Sequence, residues 1–218
     1  MGQNTYPFQL VPLPYAYNAL EPYIDEKTMH LHHDAHLQTY VNNLNAVLKD
    51  HPMLHSWTLE QLLAYSDMLP EEIHTAVINN GGGVYNHNFY FANMQPHAQQ
   101  TALSGNLLHA INSEFGSYDN FKAKFKQQAL AVFGSGYTAL VLNHNGSLEI
   151  MNTANQNTLL NEGVCLIMLI DVWEHAYYLK NYNVRANYID NWFNVVNLSL
   201  AEKNFEKCII MEVQNANW

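Results

Sequence analysis

The apolar run at 165–170 empties into Asp171-Val172-Trp173-Glu174-His175-Ala176-Tyr177-Tyr178-Leu179, and this junction constrains the fold more than any other stretch. Short and flanked by turn-type residues, the run reads as a buried strand. A carboxylate and an imidazole therefore sit where a strand ends. If the segment turns helical after Asp171, that residue and His175, four apart, aim at one point, as a metal or proton-transfer site needs. Glu174 is then placed as an outer partner.

What precedes the junction is mostly helical. Pro7, Pro12 and Pro14 forbid helix through 1–21, which reads as an extended arm. Asp25 caps a long helix over 25–48 that carries His30, His32, His33 and His36 in its first half. His32, His36 and Tyr40 recur every four residues and share a stripe, while His33 points elsewhere. Thr58 and Gln61 form a capping box for a short helix to Tyr65, and Pro70 opens a helix that runs to Asn79 or Asn80. Gly81-Gly82-Gly83 normally ends such a helix, yet the aromatic stretch 84–91, with His87, reads as a second long helix whose glycines permit close backbone approach.

A polar, Pro- and Gly-bearing stretch at 94–105 is the linker candidate. Beyond it the pattern predicts helices over 106–114 and 119–133, stopped by Gly134-Ser135-Gly136. Strands follow over 137–142 and 148–152, joined as a hairpin across His144-Asn145-Gly146. The third strand is 166–170, with helices after it over 186–194 and 198–208. The expectation is an α+β fold: an N-terminal helical hairpin domain, 1–96, and a C-terminal domain, 97–218, with a three-stranded antiparallel sheet and helices.

With 218 residues, 48% of them hydrophobic, the chain can bury one large core or two small ones. Nine Lys and Arg against nineteen Asp and Glu give a formal charge of -10, and no basic block breaks it, which argues against nucleic acid. A small anion meets net repulsion. No apolar run spans a bilayer, and residues 1–20 lack a secretory pattern. Cys165 and Cys208 are far apart in sequence and read as two reduced, partly buried thiols, which suits the cytoplasm.

His32, His87 and either Asp171 or His175 suffice for a divalent ion. Three classes stay open on the residues alone: a redox-metal enzyme, a hydrolytic zinc site and a structural metal-binding protein. No HExxH helix supports the zinc hydrolase, and no serine or cysteine sits in a nucleophile elbow.

Pro12-Leu13-Pro14-Tyr15-Ala16-Tyr17-Asn18-Ala19-Leu20-Glu21-Pro22, His32-His33, Gln38-Thr39-Tyr40-Val41, Asn86-His87, Phe133-Gly134-Ser135-Gly136 and the run from Asp171 to Leu179 resemble the iron/manganese superoxide dismutase family, in order along nearly the whole chain. The resemblance implies dismutation of superoxide by one redox-cycling ion per subunit, with His32, His87, Asp171 and His175 as ligands and solvent as the fifth. It implies manganese, with iron or either metal as the alternative, because Gln156 resembles the manganese-type glutamine and Gly83 stands where iron enzymes usually bring theirs. His36 and Tyr40 fall near the substrate channel, Tyr40 helping to relay protons. Glu174 and Tyr178 resemble residues that bridge a homodimer, reaching the partner's His175 and the partner's His36.

Several positions depart from the family. Phe91 and Tyr137 stand where Trp is usual, and Leu198 where Trp often follows Asn-Val-Val-Asn. Ala35 replaces a common Lys and Ala186 a common Pro. Tyr137 brings a hydroxyl beside the pocket that can redirect Gln156, and a low-activity, metal-holding homologue is the reading these changes favour against the enzyme. With the Lys gone, Arg185 is the cation left to supply local positive potential.

Overall fold

The computed structural model describes residues 4–215. Its first half is a helical hairpin. Asp25 accepts the Thr28 N–H at 2.8 Å and caps α1 (Glu26–His30). The segment expected to be one α-helix then departs from it: Leu31–Leu37 is a π-helical turn, and α2 (Gln38–Leu48) resumes behind it. Within that turn Asp34 takes a hydrogen bond from Tyr17 Oη at 2.6 Å and lies 2.7 Å from His33 Nδ1 and 2.9 Å from His30 Nδ1. The turn is thus tied to the N-terminal arm, a remote partner that periodicity does not reveal. The arm itself is not helical, as expected, and positions 1–3 of it lie outside the described residues. Asn45 grips Phe8 through both its backbone groups at 2.8 Å.

The capping box forms at Thr58 and Gln61 and opens α3 (Leu59–Ala64). Helix α4 (Glu71–Ala92) runs unbroken through the glycine triplet, one helix where two were expected. Packing explains this. A Cβ at Gly82 would lie 2.1 Å from the Gln156 carbonyl oxygen, and one at Gly83 2.6 Å from the Tyr40 ring. Neighbours held that close sustain the helix where propensity alone would end it.

The second half follows with α5 (Gly105–Phe115) and α6 (Tyr118–Ala131), then β1 (Gly136–Leu142), β2 (Leu148–Ala154) and β3 (Cys165–Asp171). The sheet is antiparallel throughout, in the order β2-β1-β3. As the middle strand, β1 is buried along its whole length and serves two faces. Leu140 and Leu142 join the main core shared with the hairpin helices; Tyr137, Ala139 and Val141 form a smaller cluster with Leu159 and Leu169. An irregularity at Leu140/Val141 in the pairing with β3 shifts the register once.

Asp171 is the last residue of β3, paired with Tyr137 across the ladder, so the carboxylate sits at the strand end as expected. After it come a 3₁₀ turn (Glu174–Ala176), a short α7 (Tyr178–Asn181), α8 (Arg185–Trp192) and α9 (Leu198–Asn215). Arg185 is also not a free cation: it donates to the carbonyls of Val132 at 2.6 Å and Gly134 at 2.7 Å, closing the C-terminal end of α6.

The cysteines correct the sequence reading as well. Cys165 and Cys208 are joined by a disulfide, because α9 lies against β3 and brings their Cα atoms to 5.6 Å, inside bonding range. Sequence separation carries no trace of that meeting.

Candidate metal centre

Each half of the chain sends two side chains to one point. His32 comes from the π turn and His87 from α4; Asp171 ends β3 and His175 sits in the 3₁₀ turn. One ligating atom from each lies within 4.8 Å of the other three. Asp171 Oδ2 is central, 3.2 Å from His32 Nε2, 3.3 Å from His175 Nε2 and 3.7 Å from His87 Nε2. Three of the four are buried, and His175 is the most accessible, with its side chain 13% exposed.

The protonation pattern follows from burial and neighbours. Burial drives His87 down from its ordinary 6.5 to about 4, and burial together with the adjacent His175 drives His32 well below it. Burial pushes the Asp171 carboxyl upward, but the charge of His175 and hydrogen bonds from His175 and His32 hold it far below the usual carboxylate range. Neutral His32 and His87 beside an ionised carboxylate are in the forms that bind a metal.

The donor set itself tests for a cation. His87 Nδ1 is 2.7 Å from the Gly83 carbonyl, which only accepts, so Nδ1 carries the proton and Nε2 presents a bare lone pair. That fully buried Nε2 has no hydrogen-bond partner among the described residues. A divalent or trivalent ion among three imidazoles and a carboxylate satisfies it.

The outer shell is dense. His36 stacks on His175 with ring centroids 4.4 Å apart, and Tyr40 lies 5.3 Å from His87. The stripe His32, His36 and Tyr40 therefore converges on one pocket. Gln156 donates from Nε2 to Tyr40 Oη at 3.0 Å and accepts at Oε1 from Tyr137 Oη at 2.9 Å. Phe91 stands edge-on to His32, its ring centroid 4.9 Å away.

Two of the residues singled out in the sequence are not gathered here. Glu174 and Tyr178 both face outward, away from the buried donors.

Other side chains that hold the site escape a sequence reading. Asn86 Nδ2 donates to the backbone carbonyls of Gln156 and Asn157, at 3.2 and 3.3 Å, and so pins the Gln156 turn to α4. Trp173 Nε1 donates to the Asn155 carbonyl at 3.0 Å from the other side. Tyr188 Oη donates to the Asp171 carbonyl at 2.8 Å and bonds the Tyr90 hydroxyl at 2.9 Å. Asn86 had a signal, its place beside His87 and one helical turn past the glycines; Tyr188 is one of fourteen tyrosines and had none.

Comparison with known proteins agrees with this geometry. Residues 7–95 match the alpha-hairpin domain of iron/manganese superoxide dismutases, and residues 103–204 match the C-terminal domain of the same family. Two curated relatives named superoxide dismutase [Mn] come from Listeria. The protein of Listeria innocua serovar 6a is 48% identical over 199 residues, covering 91% of this chain and 98% of its own length. That of Listeria ivanovii is 47% identical over the same shares.

Proposed function

Because the chain belongs to the iron/manganese superoxide dismutase family, we propose that it is a manganese superoxide dismutase holding one ion per subunit through His32, His87, Asp171 and His175. The observation that carries the reading is the buried four-donor cluster with an unpartnered lone pair on His87. Two superoxide radicals and two protons become one dioxygen and one hydrogen peroxide. Bound by these residues, manganese would supply the one-electron exchange between two superoxide molecules.

The chain's own residues do the rest. Asp171 supplies the ionised carboxylate that offsets the charge of the ion. Gln156 presents an amide N–H beside the donors, and Tyr40, bonded to it, offers a phenol hydrogen toward the substrate. Manganese over iron is supported by where the glutamine comes from. A side chain at Gly83 would collide with the Tyr40 ring, so the amide has to arrive from Gln156 in the second half.

The working unit in this proposal is a homodimer in which Glu174 reaches the partner's His175 and Tyr178 reaches the partner's His36. It is supported by exposed apolar side chains on segments flanking the site: Leu31, Phe133, Tyr178, Leu179, Tyr182 and Val184. Such a face in a soluble chain marks an interaction surface. The division into domains at 1–96 and 97–218 belongs to the same proposal and is supported by the linker composition near Pro96.

Among the described residues no helix is long and apolar enough to cross a membrane. A cytoplasmic location is part of the proposal, and the Cys165–Cys208 bridge pulls against it, since such bonds persist mainly in oxidising compartments. Thiol alkylation in rapidly quenched cells, read by mass, decides: alkylated cysteines fit the cytoplasm and a preserved bridge overturns it.

The experiment for the activity itself is superoxide turnover of the protein reconstituted with manganese or with iron, with bound metal quantified on the same samples. Rapid turnover with manganese alone is the expected result. Full occupancy without turnover would overturn the enzyme reading in favour of a metal-holding protein.

A further inference from the structure

Tyr137 is fully buried in the middle strand, opposite Asp171 on the ladder. Its hydroxyl lies 2.9 Å from Gln156 Oε1 and 3.3 Å from His87 Nδ1. The second contact decides the direction of the first. With Nδ1–H given to the Gly83 carbonyl, the imidazole has no lone pair to offer the phenol. Asp171 is also close by, but the acceptor placed in hydrogen-bond geometry on the hydroxyl, at 2.9 Å, is Gln156 Oε1. The phenol hydrogen therefore goes to Gln156 Oε1.

The orientation of the amide follows. With Oε1 occupied by Tyr137, Nε2 is turned to the Tyr40 hydroxyl at 3.0 Å. Tyr40 then accepts from Gln156, and its own hydrogen is left to point away from the amide. Tyr137, Gln156 and Tyr40 form a chain of hydrogen bonds that all run one way, and its starting sense is set by the tautomer of a metal-facing histidine.

We propose that Tyr137 is a positioning residue for dismutation: its hydroxyl fixes which end of the Gln156 amide faces Tyr40, and so the direction in which Tyr40 can donate. The proposal rests on the functional reading above. The tryptophan usual at this position in the family has an indole N–H that only donates, which would impose the sense by residue type. A phenol donates and accepts, so in this chain the sense depends on the bond from His87 to Gly83.

Tyr137→Phe removes the hydroxyl and keeps the ring, while Tyr137→Trp restores a pure donor. The readout is the Gln156 side-chain amide in ¹⁵N-labelled full-length protein loaded with zinc, a diamagnetic ion, its signals identified by their loss in Gln156→Leu. Tyr137→Phe is expected to speed exchange of those amide hydrogens with water by about tenfold and to lower turnover of the manganese form by about tenfold, the scale of an outer-shell loss. Tyr137→Trp is expected to reverse both. Unchanged amide exchange in Tyr137→Phe would overturn the proposal, because Tyr40 alone would then hold the amide. So would a crystal structure of the manganese form in which the Tyr137 hydroxyl bonds Asp171 instead; that structure also serves if a variant folds poorly. Absence of turnover in every metal-loaded form of the unmodified protein would sink the functional reading, a separate outcome from either of these.

Discussion

Gly83 shows how much a missing side chain can do. Its α-carbon faces the Tyr40 ring so closely that a methyl group would stand 2.6 Å from two ring atoms. Gly83→Ala must displace either α4 or the tyrosine, and overpacking of this kind costs about 1–3 kcal/mol. Urea denaturation should register that loss, and turnover should fall with it as Tyr40 leaves the Gln156 amide. The histidines make a second prediction. His87 titrates near 4 when folded against an ordinary 6.5, so between those values the unfolded chain binds the proton more tightly. Stability of the metal-free protein is therefore highest above about pH 6.5 and falls as pH drops toward 4, with His32 adding to the slope. Asp171, held down when folded, adds its own loss further into acid. Urea midpoints across pH 4 to 8 check the sign, and His87→Gln should flatten the curve.

The π turn, the unbroken α4 and the disulfide are three element-level features that the sequence hid, each for a physical reason. Apolar spacing and the Asp25 cap are local signals, and they placed both ends of the helical segment that begins at α1 and finishes with α2. Periodicity missed the π turn because the clamp that accompanies it, Tyr17 on Asp34, joins residues 17 apart through an arm with no period. It split α4 at the glycines because the groups that fill the space beside them, Gln156 and Tyr40, come from elsewhere in the chain. The four donors were legible, since each sits in a distinctive motif; Tyr188 and Trp173 were not, since their roles exist only through backbone carbonyls that the fold brings near. The bridge between Cys165 and Cys208 encloses Asp171 and His175 in a loop spanning 43 positions. Closing a loop of that size stabilises by about 2–4 kcal/mol, chiefly by restricting the unfolded chain. Adding reductant, or making Cys165→Ser with Cys208→Ser, should lower the urea midpoint accordingly while leaving the bound metal in place. Loss of the metal on reduction would instead mean that the bridge holds the donors directly.

At the scale of the molecule, charge governs the encounter with substrate. The net charge of -10 repels an anion, and Arg185 keeps its charge but is held in place on the backbone carbonyls of Val132 and Gly134. Raising ionic strength screens that repulsion over about 10 Å at 0.1 M, so the second-order rate should rise with salt at low concentration. A stopped-flow series in salt checks this; a flat or falling rate would mean that local cations at the channel outweigh the total. The same scale holds the consequence of the seam where Gly82 receives the Gln156 carbonyl. Heredity cannot treat the two halves as separable. A crossover in the linker between this gene and that of a relative with the same four donors delivers two donors from each parent. What the recombinant inherits blindly is the fit across the seam: a first half bearing a bulkier residue at position 82 collides with a second half that brings the Gln156 carbonyl there. Recombinants that exchange halves are thus filtered by one hydrogen atom, the Gly82 side chain, before selection ever reaches the chemistry.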